Sequence, residues 1–251
     1  MLLPHINHQF KSSVWRLEID AVSETVFAEI RDTADKKVYF AAISLNTGEI
    51  FFDGLETDER WLTGIETAYD GVLLLHNYQS ESSPEHKGLI AINGHTGDTL
   101  WSNYTHSFDH LSTVGPVIYD TRIQPRKLFL ADIKTGASLN TNQTLNEAGL
   151  DNNIILPDIV SPEFLKHIVI PAEPFGNAVH YIDHNNFIIV SLHTFAEGAL
   201  QQHLYILSKG KIVYTDLLNS DIQKLQPEAF LMHKDHLIYL KNKSRLKVLN
   251  L

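Results

Sequence analysis

Residues Gly88–Trp101 read GLIAINGHTGDTLW. An apolar run, a Thr-Gly pair and a second short run closed by tryptophan describe a β-hairpin, and Gly97 supplies the left-handed position its turn needs. The pattern recurs. VYFAAISLNTGEIFF carries Gly48, KLFLADIKTGASL carries Gly136, LYILSKGKIVY carries Gly210, and SRLKVLNL at 244–251 supplies the first half of another copy. Upstream of these copies lie further pairs of strand-like runs, joined by turns at Asp20, Asp70-Gly71, Asp183–Asn186 and Asp235-His236. Asp and Asn side chains fold back onto the backbone in such turns. The repeating unit is therefore four short antiparallel strands, A to D, with Asp marking the A–B turn and Gly the C–D turn.

The turn glycines at 48, 97 and 136 lie 49 and then 39 residues apart, the spacing of propeller blades. The next gap, to Gly210, is 74 residues and holds the polar run SLNTNQTLNEAGLDNN. We read residues 138–176 as a long insertion between blades, with a degenerate extra blade as the alternative. The expected fold is an all-β propeller of four-stranded antiparallel blades, one domain over 1–251, with about five blades and six as the runner-up. A β-sandwich would not keep one turn residue at one place in every unit. Residues 2–10 are the free material to complete the last unit, so the N-terminal strand is expected to pair with 246–251 and lock the ring.

GLIAINGHTGDTLW resembles the repeat of the quinoprotein-type β-propellers, in which a strand is followed by Asp or Asn, Thr-Gly and Leu-Trp. Ala91-Ile92, Asn93, Thr96-Gly97 and Leu100-Trp101 occupy those places, while Ala42-Ile43 with Thr47-Gly48 and Ala131-Asp132 with Thr135-Gly136 match less fully. The chain also resembles an uncharacterised bacterial domain-of-unknown-function family. The first resemblance implies a fold and no chemistry. The quinone-dependent dehydrogenases of that group have more blades, and many carry vicinal cysteines, whereas this chain has none. The outer-membrane assembly scaffolds that share the repeat need a lipidated cysteine.

Absence of cysteine also excludes disulfides, thiolate zinc sites and a cysteine nucleophile. The net charge of −10 disfavours nucleic acid and anionic membranes as partners. MLLPHINHQFK has no basic segment ahead of its apolar residues, and no apolar run approaches a membrane span, so a cytoplasmic address is expected.

Fourteen histidines invite a metal reading at His106/Asp109/His110, His180/Asp183/His184 and His233/Asp235/His236. Each cluster belongs to a different blade and two sit on Asp-bearing turns, so turn chemistry accounts for them and neither a metal nor a cofactor is expected. Glu18, Glu66, Asp109 and Asp183, on or beside strand A, are the candidates for a glycosidase carboxylate pair at the central channel. No Gly-rich phosphate loop or nucleophile elbow is present. The D–A and B–C connections, at 53–61, 77–87, 102–110 and 193–203, read as long polar loops on one face. Asp58, Arg60, Trp61, Tyr104 and His106 are the expected contact surface. The function expected is a binding or interaction scaffold for a protein or small molecule, with a carbohydrate-active enzyme as the alternative.

Overall fold

The structure, a computed structural model, describes residues 2–139, 150, 152–196 and 198–251. Its elements are almost wholly β. They form two compact units, one of residues 11–152 and one of residues 1–10 with 153–251.

The N-terminal strand β1 (Ile6–Gln9) belongs to the second unit and is taken up there. The first unit holds three sheets. Strands β2 (Ser13–Asp20), β3 (Thr25–Asp32), β4 (Lys37–Ser44) and β5 (Ile50–Leu55) pair in that order. Strands β6 (Thr63–Tyr69), β7 (Val72–Ser80), β8 (Ser83–Asn93) and β9 (Thr99–Asn103) form the second sheet in the same order. The third comprises β10 (His106–Ser112), β11 (Gly115–Asp120) and β12 (Leu128–Leu130), extended by an Ala131–Ser138 bridge. Every pairing is antiparallel.

The apolar runs of these strands are continuous because each central face meets another sheet. Leu73 and Leu75 of β7 pack with Phe27, Phe40 and Ile65, while their neighbours Val72 and Leu74 pack with Ile118 and Ala131. Alternate residues of a strand point to opposite faces, so VLLL is apolar throughout where both faces are covered.

The C–D turn repeats atom for atom. The amides of Gly48, Gly97 and Gly136 donate to the carbonyls of Ser44, Asn93 and Asp132 at 2.8–2.9 Å. All three glycines have φ between 71 and 79°. The side chain four residues before each glycine accepts from the amide just before that glycine: Ser44 Oγ from Thr47, Asn93 Oδ1 from Thr96, Asp132 Oδ1 from Thr135. The opening stretch is thus one copy of a repeated unit.

The A–B turns link neighbouring sheets. Asp20, wholly buried, accepts from the amides of Val22 and of Gly71 in the next sheet's turn. Trp101 crosses likewise, its indole N–H donating to the Ile133 carbonyl at 2.7 Å.

In the second unit, the segment read as an insertion carries β13 (Ile154–Ile155), β14 (Asp158–Val160) and a 3₁₀ helix over Pro162–His167. The next strands are β15 (Val179–His184), β16 (Phe187–Ala196), β17 (Ala199–Ser208) and β18 (Lys211–Ile222). The last are β19 (Leu231–His233), β20 (His236–Lys241) and β21 (Arg245–Asn250). Strand β14 adds to the sheet of β15–β18 beside β15, and β13 adds to the final sheet beside β19. On the other side of that sheet β1 pairs with β21, Ile6 opposite Val248 and Gln9 opposite Arg245. The N-terminal strand therefore completes the last sheet as its sequence position predicts. Five antiparallel sheets of three to five strands stand among the described residues, and the fold is of the β-propeller class. Part of the polar run, residues 140–149 and 151, lies outside the described residues.

Two connections read as loops are strand. Residues 77–87 fall almost wholly within the β7–β8 hairpin, which projects as a two-stranded ribbon, and residues 193–196 and 199–203 lie in β16 and β17, with β18 pairing along the outer side of β17. Main-chain pairing needs no apolar side chain, so a polar stretch continues a ladder once its register has been set. Between β9 and β10 only Tyr104 and Thr105 remain as a turn.

Candidate functional site

The ribbon formed by β7 and β8 gathers the most unusual side chains of the first unit. Glu66 sits on β6 at a bulge, left unpaired between Ile65, which faces Leu75, and Thr67, which faces Leu74. A bulge re-aims a side chain that regular pleating would send to the other face. A second irregularity follows His76 on β7: His76 faces Leu89, Asn77 faces Lys87, and Gly88 is passed over at φ +71°. These two offsets bring Glu66, His76 and His86 together from three adjacent strands.

Glu66 Oε2 lies 3.1 Å from His76 Nδ1 and 2.9 Å from His86 Nδ1. The two imidazoles stack with centroids 3.4 Å apart and planes 7° apart, and Tyr78 meets both edge-on. His76 is 1% exposed, yet neither ring nitrogen has a hydrogen bond, its Nδ1 standing near Glu66 but off line. Its ring fits because the facing residue is Gly64, where a Cβ would lie 3.1 Å from His76 Nε2 and 3.3 Å from Glu29 Oε2. Burial holds the His76 pKa below its usual value against the pull of Glu66. Burial alone would raise Glu66, but the two imidazoles outweigh it and keep the carboxylate ionised.

Beside the cluster Arg31 is enclosed. Its Nε donates to Glu29 Oε1 at 2.6 Å and its other nitrogens to the carbonyls of Trp61 and Thr63. Its guanidinium lies 4.8 Å from the Trp61 ring and 5.8–5.9 Å from Trp15 and Tyr78. Trp15 is 68% exposed. Tyr78 also borders a cleft of about 330 Å³ lined by Glu59, Leu62, Asn77, Lys87 and Tyr104. That volume is at the small end of ligand pockets.

The residues expected from sequence distribute unevenly. Tyr104 lines the cleft, whereas Trp61 packs against Arg31, 4.8 Å from its guanidinium. Asp58 and Arg60 are exposed on the same connection, Arg60 donating to the Asp35 carbonyl, while His106 stacks edge-on against Phe129 in the third sheet. Among the four carboxylates, Glu66 joins the imidazoles, and Glu18 pairs with Arg16 and Thr67. Asp109, also bulged out of β10, pairs with His110 and Arg126, and Asp183 is exposed in the second unit. Among the described residues the group that could hold a metal ion is Glu66, His76 and His86, none of the three histidine clusters weighed from sequence. The sequence reading left out His76, which lies in a run read as strand, and His86, which lies in residues 77–87 read as a loop. The signal was there in the spacing: positions 66, 76 and 86, ten apart, fall on three consecutive antiparallel strands.

The fold and site define an all-β protein of the propeller class with a polar cluster beside an aromatic cleft. Residues 19–101, which span the first two sheets, match a family described as a domain of unknown function, DUF4905. No curated protein matches the sequence. Among solved structures the chain is similar to BamB from Moraxella catarrhalis, at 9% identity and a TM-score of 0.37, covering 96% of this chain and 86% of that one. It is also similar to the β-propeller domain of the Trilobed protease from Pyrococcus furiosus, at 11% identity and a TM-score of 0.33 over 94% and 65% of the two chains. A third is CoXyl43, a GH43 β-xylosidase/α-arabinofuranosidase from a compost microbial metagenome, at 12% identity and a TM-score of 0.30 over 98% and 92%. No helix among the described residues is long and apolar enough to cross a membrane.

Proposed function

We propose that this protein is a cytoplasmic ligand-binding β-propeller, and that its ligand is a small carbohydrate held in the cleft beside Tyr78. The cleft's lining carries the reading. Tyr78 and Tyr104 offer ring faces for the C–H face of a sugar, and Asn77, Lys87 and Glu59 offer an amide, a cation and a carboxylate for its hydroxyls. Trp15, Trp61 and Arg31 extend the aromatic surface beyond the cleft. Binding fits better than glycoside hydrolysis. A glycosidase needs two carboxyl groups about 5–10 Å apart. Glu66, the most buried of the four candidates' site-facing groups, has imidazoles as its partners, and Glu18 is held by Arg16 and Thr67.

Thermal-shift measurement against a panel of mono- and disaccharides tests the assignment. At least one sugar should raise the melting temperature, and Tyr104→Ala should abolish that rise. Tyr104 is 64% exposed, so its loss leaves the unliganded melting temperature unchanged. A panel without effect, or a Tyr104→Ala protein that responds like the parent, would overturn the reading.

A further inference from the structure

We infer that Glu66, His76 and His86 form a binding site for a divalent transition-metal ion of the zinc class. The inference goes beyond the carbohydrate reading and does not rest on it.

Three observations carry it. First, the donor set is right: one carboxylate oxygen and two imidazole nitrogens, mutually within 4.8 Å, is the ligand chemistry of a three-residue zinc site with an open fourth position. Second, the spacing is close to what such an ion imposes. Bonds of about 2.0–2.1 Å in tetrahedral array place ligand atoms roughly 3.3 Å apart, and Oε2 of Glu66 stands 3.1 and 2.9 Å from the two Nδ1 atoms. Third, His76 is buried with both ring nitrogens unsatisfied. A buried polar group without a partner costs about 1–3 kcal/mol, so it persists where something else uses it.

Hydrogen bonding alone leaves that third observation unexplained. Glu66 accepts well from His86, yet His76 Nδ1 is off line and Nε2 has no acceptor. A metal at Nδ1 accounts for the nitrogen that faces Glu66. Nε2 borders Gly64, 3.1 Å from the point its Cβ would occupy, and Glu29 Oε2 lies 3.3 Å from the same point. Glu29 is itself held by Arg31 and the Ile65 amide.

Ligation moves one ring. Rings with centroids 3.4 Å apart and planes 7° apart cannot both aim an in-plane lone pair at one ion. His86 is the ring free to turn, with 35% of its side chain exposed on a projecting ribbon, whereas His76 is locked in the sheet. Binding of an ion therefore requires His86 to tilt out of the stack.

The test is titration of the EDTA-treated full chain with Co²⁺, read by the visible absorption of the bound ion, followed by displacement with Zn²⁺. One equivalent should bind, with the intense bands of a four-coordinate ion, and Zn²⁺ should remove them. Losing an outer-shell partner typically weakens a metal site 10–100-fold, so loss of a ligand in His86→Ala should weaken binding by about 100-fold or more. His86 is partly exposed, so that variant should keep the parent's circular dichroism. His184→Ala, at another histidine cluster, should bind as the parent does. Zn²⁺ should also raise the melting temperature of the parent and of His184→Ala but not of His86→Ala. Absence of a one-equivalent site, or equal affinity in the parent and His86→Ala, would overturn the inference.

Discussion

The link between Trp101 and Gly136 offers the sharpest test of how successive sheets are joined. Gly136 lies at φ +71°, and a Cβ there would sit 2.8 Å from Trp101 Cδ2. Gly97 has the same turn and a φ of +79°, but its Cβ would meet Phe52 Cδ1 at 3.5 Å and Leu55 Cδ1 at 3.6 Å, ordinary van der Waals contacts. The left-handed backbone costs an L-residue about 1–2 kcal/mol, and that cost is common to both positions. Overpacking adds about 1–3 kcal/mol, and it falls on Gly136 alone. The indole cannot retreat freely, because its N–H is bonded to the Ile133 carbonyl at 2.7 Å. Gly136→Ala should therefore cost about 2–5 kcal/mol and Gly97→Ala about 1–2 kcal/mol. Urea unfolding followed by far-ultraviolet circular dichroism measures both. In a Trp101→Ala background the clash partner is gone, and the cost of Gly136→Ala should drop to about 1–2 kcal/mol. Equal losses at the two glycines, or a cost at Gly136 independent of Trp101, would refute the reasoning.

Removal of residues 1–10 strips β1 from β21 and takes away Ile6 and Phe10, which are 4% and 2% exposed. At about 1.5–3 kcal/mol for each side chain the loss is about 3–6 kcal/mol, and an unchanged melting temperature would show that β1 contributes nothing. His193 gives a pH dependence. Burial lowers its pKa to about 4, and its Nε2 accepts from the Gln226 amide, a bond that protonation destroys. The unfolded chain takes up that proton near pH 6.5 and the folded chain only near 4, so the His193 contribution is full above about 6.5 and is lost as pH falls toward 4. His193→Gln should flatten that part of the melting-temperature profile, and a parallel profile would dismiss the assignment.

The repeated four-strand unit was legible in the sequence because its signals are local. A Thr-Gly pair with a left-handed glycine, and a Ser, Asn or Asp four residues before it, close the same turn wherever they occur, and Gly48, Gly97 and Gly136 all do so. The pairing of the N-terminal strand also followed from local pattern, since the last unit lacked a strand and Ile6–Gln9 could supply it. Tertiary structure decided the rest. Whether residues 77–87 run as a loop or as a ribbon depends on the register of β7 with β8, which no side chain in that polar stretch announces. The candidate site depends on the same register. Two offsets, at Glu66 and at Gly88, turn residues ten apart in the chain into neighbours in space. Turn chemistry is written residue by residue, but strand register is set by the packing of whole sheets, so the fold could be read from the chain while the site could be seen only once the strands had been aligned.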